Sequence, residues 1–239
     1  GQDELVNVIW VAAGDGHALA VRSDSTVFAW GDNTYGQLGD NTRGNRRLAP
    51  VRVQPGEYDS EAYFLRDVVR VYAARQYSMA LMRNGEVYTW GLNSYGMMGR
   101  SDTNYTSMIP VKLHMPLDVN GNEKKITDLY AGLNHVIALA TDDYLYAWGR
   151  NDYGQLGINP GEKSDYAYAP TPVVAGDNND VFAMEGDPYF RTAMSFAAGI
   201  THSVVMREDG QVYIMGHYDW GKYDQSTNDP IIIQDVVGR

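Results

Sequence analysis

A ten-residue string that comes back three times at nearly constant spacing limits what this chain can fold into. WGDNTYGQLG at Trp30 to Gly39 recurs as WGLNSYGMMG at Trp90 to Gly99 and as WGRNDYGQLG at Trp148 to Gly157, then in worn form as MGHYDWGKYD at Met215 to Asp224. The copies lie roughly sixty residues apart. A fixed period of this kind marks one supersecondary unit that cannot bury its own apolar face and stacks on its neighbours.

The match extends upstream in step. Gly14, Ala74, Gly132 and Gly199 each precede the Trp or Met position by sixteen residues, and His17, Tyr77, His135 and His202 follow three residues later. Between these markers each copy has an apolar run, a polar turn and a second run ending at the aromatic residue. The turns are read as Ser23-Asp24, Asn84-Gly85, Asp142-Asp143 and Asp209-Gly210, residue types that tolerate tight hairpins. Downstream, a proline introduces a β-branched segment at Pro50, Pro110, Pro172 and Pro230. Proline at a strand start suits an outer strand. A further segment, such as Val68 to Ala73 or Ile126 to Ala131, leads to the next glycine. Each copy is therefore predicted to hold four strands, in units of approximately 5–53, 67–113, 125–174 and 192–233.

The G-x-x-H, W-G-x-N-x-Y-G-Q-L-G and P-x-x-V elements together resemble the regulator-of-chromosome-condensation repeat family. That resemblance implies an all-β, β-propeller-type array of four four-stranded blades set radially. Propellers usually have about four to eight blades, and the family is known mainly for seven. Four therefore implies an incomplete ring, or one completed by missing chain or by a second copy in a homodimer. Asp235 to Gly238 repeat the start of the strand at Asp67 to Arg70, as though a further unit began there. The second copy departs from the pattern at Ala74 and Tyr77, and the fourth at Met215, Lys222, Tyr223 and Asp224.

Composition excludes some functions. A net charge of −11 and a pI near 4.8 disfavour nucleic acid, whose binding depends on Lys and Arg neutralising phosphates. No apolar run approaches the length that spans a bilayer, so no membrane partner is expected. Cysteine is absent, which removes disulfides and thiolate metal sites. The start at Gly1 without methionine suggests a trimmed leader, and with it an extracellular or cell-surface, secreted protein, with a cytoplasmic one as the alternative.

Residues that recur in every unit are explained more economically by architecture than by one active site. Trp30, Trp90 and Trp148 offer apolar surface for packing between blades. Gly31, Gly91, Gly149 and Gly216 are expected where strands turn; no helical periodicity follows them, as a phosphate cradle would require. His17, His135 and His202 read as residues that satisfy local groups within their own blade rather than as a metal site. The segment Asp118 to Asn122 alternates oxygen ligands like a calcium loop, but Leu129 occupies the twelfth position, so it reads as a turn. No cofactor is expected. No nucleophile with a base, and no carboxylate pair, stands out.

Specificity is then expected in the segments that differ between copies. These are Asn41 to Leu48 with Arg43, Arg46 and Arg47, Pro55 to Phe64 with Tyr58 and Tyr63, and Asn159 to Ala169 with Tyr166 and Tyr168, joined by Tyr105. Tyrosine and arginine dominate interface hot spots. The repeated aromatic set Tyr35, Tyr95, Tyr153 and Trp220 reads as local packing. The sequence thus points to a non-enzymatic binding scaffold for a protein or glycan partner. Inhibition of a secreted enzyme, nucleotide exchange on a small GTPase and a channel-borne enzyme are the alternatives that the resemblance supplies.

Overall fold

The computed structural model describes residues 4–56, 63–101, 105–158, 165–175, 188–219 and 224–232. Tyr58, Trp220 and the segment 235–238 lie outside the described residues. Each copy of the repeat forms one antiparallel sheet with its four strands in chain order. The first sheet holds β1 (Val8–Ala13), β2 (His17–Arg22), β3 (Val27–Gly31) and β4 (Arg47–Arg52). The second holds β5 (Val68–Ala73), β6 (Tyr77–Met82), β7 (Val87–Leu92) and β8 (Thr106–Lys112). The third holds β9 (Ile126–Ala131), β10 (His135–Ala140), β11 (Leu145–Arg150) and β12 (Tyr166–Pro172). The fourth holds β13 (Ala193–Ala198), β14 (His202–Arg207), β15 (Val212–Asp219) and β16 (Asp224–Ile232).

The second strand of each sheet carries the apolar run after the G-x-x-H step, and the third ends at the W-G or M-G pair. They pair in equivalent register, His17 with Gly31, Tyr77 with Gly91, His135 with Gly149 and His202 with Gly216. Gly31 shows why the second residue of the pair is invariant. Its φ is 105°, and a Cβ there would lie 2.4 Å from the Gly16 carbonyl oxygen.

Two details of the sequence reading shift. The left-handed turn residues are Ser25, Gly85, Asp143 and Gly210, so the first copy turns at Asp24-Ser25 rather than Ser23-Asp24. The Asp24 carboxylate accepts from both the backbone N–H and the hydroxyl of Thr26, at 3.1 and 2.6 Å, and this fixes aspartate one position earlier in the turn. The prolines do not open the outer strands but lie inside them, where the pairing slips. Ala29 faces Val51 while Gly31 faces Arg47, leaving Pro50 in the bulge. In the third sheet Tyr146 faces Pro172 and Ala147 faces Thr171, so the residue equivalent to Pro50 is Pro170, not Pro172.

The chain divides into two compact units, one with the first two sheets and one with the last two. In the first unit, Leu19, Val21, Val27, Leu38 and Val53 pack with Val68, Val71 and Trp90 of the next sheet. Polar side chains secure the same seam. The Trp90 indole N–H donates to the Gln37 carbonyl at 2.9 Å, and the Ser78 hydroxyl donates to it at 2.7 Å. His17 Nε2 lies 2.8 Å from that hydroxyl. Because the serine proton goes to the carbonyl, Nε2 carries the hydrogen that the serine oxygen accepts. Nδ1 is then the bare nitrogen, and in His17 it is buried without a hydrogen-bond partner.

The second unit repeats the pattern. His135 Nε2 is 2.8 Å from the Ser203 hydroxyl, which donates to the Gln155 carbonyl at 2.9 Å. Trp148 donates to the Met97 carbonyl at 3.1 Å. These histidines therefore bridge to the following sheet rather than serving their own blade. Their G-x-x-H glycines give them room: a Cβ on Gly14 or Gly132 would stand 2.8 Å from the imidazole Cε1 of His17 or His135.

Candidate functional site

In each of the first three sheets the first hairpin and the connection between third and fourth strands lie at one end, and the second hairpin and the start of the linker to the next sheet at the other. This division separates the residues singled out above. In the first unit Arg43 and Arg46 are exposed on the β3–β4 loop, whereas Tyr63, also exposed, follows β4 at the opposite end. Arg47 opens β4 and turns inward, with Nε and Nη2 at 2.9 and 2.8 Å from one Asp40 oxygen. Burial works against ionisation of Asp40, yet hydrogen bonds from Thr42 and Arg47 hold its carboxyl below the usual range. Arg47 thus ties the loop to itself. Tyr105 is exposed, and its carbonyl accepts the Asn93 N–H.

In the second unit the placement is different: Tyr166 and Tyr168, on β12, meet the turn that carries Tyr95. A Cβ on Gly96 would be 3.0 Å from Tyr168, so the turn lies directly on the strand. Tyr95 and Tyr166 are 5.3 Å apart between ring centroids, and Tyr166 and Tyr168 are 6.1 Å apart. Tyr95 also lies under the guanidinium of Arg150, the residue paired with Tyr166 across the strands, 5.1 Å from its centroid, and Arg150 lies 5.9 Å from the Tyr153 centroid. Tyr153 in turn sits 5.3 Å from the His217 ring.

The outcome is a row, Tyr168, Tyr166, Tyr95, Arg150, Tyr153 and His217, in which each group touches the next. Tyr95, Tyr153 and Tyr168 remain 37%, 36% and 51% exposed. Arg150 is ion-paired with Asp152 at 2.5 Å, which raises its pKa further, so the cation persists at any physiological pH. Guanidinium held over aromatic faces gains about 0.5 to 2 kcal/mol per contact, which orders the row within the folded chain.

Arg150 and His217 were not singled out from the sequence, and Tyr95 and Tyr153 were assigned to packing. The signal was present nonetheless. Asp32, Leu92, Arg150 and His217 occupy the same position after the W-G or M-G pair, and it is the position within the repeated string whose chemistry changes in every copy. Among the described residues no group of three His, Cys, Asp or Glu side chains is arranged to hold a metal ion. The Asp118 carboxylate accepts the N–H groups of Asn120 and Asn122 at 2.8 and 2.9 Å, closing a turn. No described helix is long and apolar enough to cross a membrane.

Comparison with known proteins matches the regulator of chromosome condensation (RCC1) repeat over residues 24–81, 84–139 and 142–206. A second model of the same repeat matches residues 8–37, 68–96 and 126–155. Protein pim1 of Schizosaccharomyces pombe is 28% identical over 239 residues, covering 95% of this chain and 40% of that protein. The guanine nucleotide exchange factor SRM1 of Saccharomyces cerevisiae is 27% identical over 239 residues, covering 97% of this chain and 46% of that protein. The chain thus spans less than half the length of these relatives. Yeast RCC1 (Prp20), in a crystal structure with Kap60 bound to it, aligns with a TM-score of 0.75 at 25% identity over 98% of this chain and 50% of that chain. These matches overturn the expectation of an extracellular or cell-surface, secreted protein, because the relatives that span the chain are regulators working inside cells. Neither a missing initiator methionine nor an acidic, cysteine-free composition encodes an address. The partner that this solved relative carries is a protein, Kap60.

Proposed function

This chain belongs to the regulator of chromosome condensation (RCC1) repeat family, and from that premise we propose that it is a non-enzymatic scaffold that holds a protein partner on the loop-bearing ends of its sheets. The observation that carries this reading is the row from Tyr168 to His217. Four tyrosines, an arginine and a histidine stand in contact with one another, and Tyr95, Tyr153 and Tyr168 among them stay open to solvent. Tyrosine and arginine combine large contact area with hydrogen bonding at small entropic cost, which is why they dominate binding hot spots. The exposed Arg43, Arg46 and Tyr105 belong to the first unit, and Tyr63 lies at the opposite end of its sheet, so none of them is part of this row. Tyr58 belongs to the same set by sequence alone.

The test is capture. The immobilised chain and a Tyr95→Ala/Tyr168→Ala variant are exposed to the same cell extract, and retained proteins are quantified by mass spectrometry. A specific partner is expected to fall by about tenfold or more in the variant, the loss that removal of two hot-spot side chains produces. Equal retention by a variant with unchanged melting would remove the row from the binding site. The similarity to an exchange factor favours a second, narrower reading, in which the partner is a small GTPase. Release of fluorescent GDP from small GTPases, with and without the chain, checks it, and unchanged release rates exclude it.

A further inference from the structure

Three copies of the same turn place their tyrosines in two different backbone conformations. Tyr95 has φ 65° and ψ 14°, in the left-handed region that a bulky residue rarely enters, whereas Tyr35 and Tyr153 are not among the positive-φ residues. Elsewhere the turns agree. The glycine after each tyrosine has φ 84°, 74° or 78° at Gly36, Gly96 and Gly154. The N–H of Gly39, Gly99 and Gly157 donates to the carbonyl three residues back at 2.9, 2.8 and 3.0 Å. The carbonyl two residues beyond the tyrosine accepts a tryptophan N–H both at Gln37 and at Met97. The glycine and the closing bonds of the turn are thus alike, and the difference falls at the tyrosine.

Its cause can be read from the neighbouring side chains. In the first copy the Gln37 amide oxygen accepts the Tyr35 backbone N–H at 2.9 Å, while its nitrogen donates to Asp32 at 2.8 Å. In the third the Gln155 oxygen accepts the Tyr153 N–H at 3.0 Å, and its nitrogen reaches Asp152 at 3.4 Å. Both glutamines are fully buried, so this clamp is shielded from competing water. The second copy has none of its parts: Met97, equally buried, replaces the glutamine, and Leu92 and Ser94 stand where the other copies have the anchoring carboxylate. Methionine offers only a weak thioether acceptor in place of the amide oxygen that holds the Tyr35 and Tyr153 N–H groups.

We infer that Met97 is a positioning residue. By omitting the glutamine clamp it lets Tyr95 take the left-handed conformation, and that conformation brings the Tyr95 ring against Tyr166 and Arg150. The inference rests on the row as the binding site, and it explains why the row forms at this turn. In the first unit the equivalent strand positions opposite Tyr35 are Thr106 and Met108, so the copy that lost the clamp is also the one facing two tyrosines.

Ser94→Asp/Met97→Gln gives the second turn the Asn-Asp-Tyr-Gly-Gln sequence that the third copy already accommodates. The intraresidue HN–Hα Overhauser effect of Tyr95, strong in the left-handed conformation, is expected to weaken, and a crystal structure should show the ring withdrawn from Tyr166. Met97→Leu, which adds no acceptor, is expected to leave the effect strong. A left-handed Tyr95 in the double variant would overturn the inference, whatever the binding result. If Tyr95 turns over and the extract proteins are retained about tenfold less, both readings stand. If it turns over and retention is undiminished, the positioning role stands and the row fails as the binding site.

Discussion

His17 and His135 each sit at a seam between consecutive sheets, with Nε2 within 2.8 Å of a serine hydroxyl of the following sheet. Burial lowers both to about 4 from an ordinary 6.5. For His17 the carboxylates of Asp32 and Asp15 oppose the shift, and for His135 the nearby His202 adds to it. The fold therefore holds neutral imidazoles, and an unfolded chain takes up protons first as pH falls. Stability from these groups is complete above about 6.5 and is lost between there and about 4, on the order of 3 kcal/mol per histidine, with about 2 already gone at pH 5. Urea midpoints measured from pH 7 to pH 5 should drop steeply for the parent chain and less for His135→Gln, which keeps an N–H donor but cannot titrate. Parallel slopes would show that the seam is indifferent to this proton. The residue types at these places were legible from the G-x-x-H step, but the partner was not. Sequence places the serine of the next copy about sixty residues away, and only the stacking of sheets brings its hydroxyl to the imidazole.

At the scale of elements, the existence and number of strands followed directly from the repeat, because four copies with apolar runs at matching offsets leave little freedom for pairing. What was not legible was local competition. Ser23, Asp24 and Ser25 offer two adjacent turn pairs, and only the Asp24 to Thr26 hydrogen bonds decide between them. Pro170 and Pro172 offer two bulge positions, and the ladder against Ala147 and Gly149 selects the first. The candidate site was half legible for a similar reason. Tyr166 and Tyr168 lie in a variable segment and drew notice, whereas Arg150 hid inside a string whose other positions are structural. The tryptophan wedges allow a quantitative check at this scale. Trp90 and Trp148 are fully buried and donate to carbonyls of the preceding turn, while Trp30 is only partly buried. Trp148→Phe should cost about 2 kcal/mol, from one hydrogen bond and lost contact area, and Trp30→Phe less than about 1 kcal/mol. Equal shifts in denaturation midpoint would mean that the wedge does not depend on the sheet before it.

For the molecule as a whole, the most telling comparison is one position followed through four sheets. Val11, Val71, Leu129 and Phe196 pair with the residue three places after the histidine or tyrosine marker in their sheets. Their exposures are 66%, 1%, 0% and 6%. The chemistry of the position is the same throughout, and Val71 shows what buries it, since it joins the core shared by the first and second sheets. At β1 the corresponding surface is bare: Ile9 is exposed with Val11, and Trp30 of the same sheet is only partly covered, whereas Trp10 turns to the second sheet, where its N–H donates to the Val71 carbonyl at 3.1 Å. An apolar strand of this length in water is a template for another sheet of the same kind. The 239-residue chain is therefore expected to associate with itself through this face, with an apparent mass in light scattering that rises with concentration. Val11→Asp places a charge in the middle of that surface, where desolvating it would cost several kcal/mol, and should return the mass to that of a single chain while leaving the melting of the individual sheets unchanged. A parent chain that stays monomeric across a hundredfold concentration range, or a variant that associates as strongly as the parent, would show that β1 tolerates water and that the repeat does not demand a neighbour on this side.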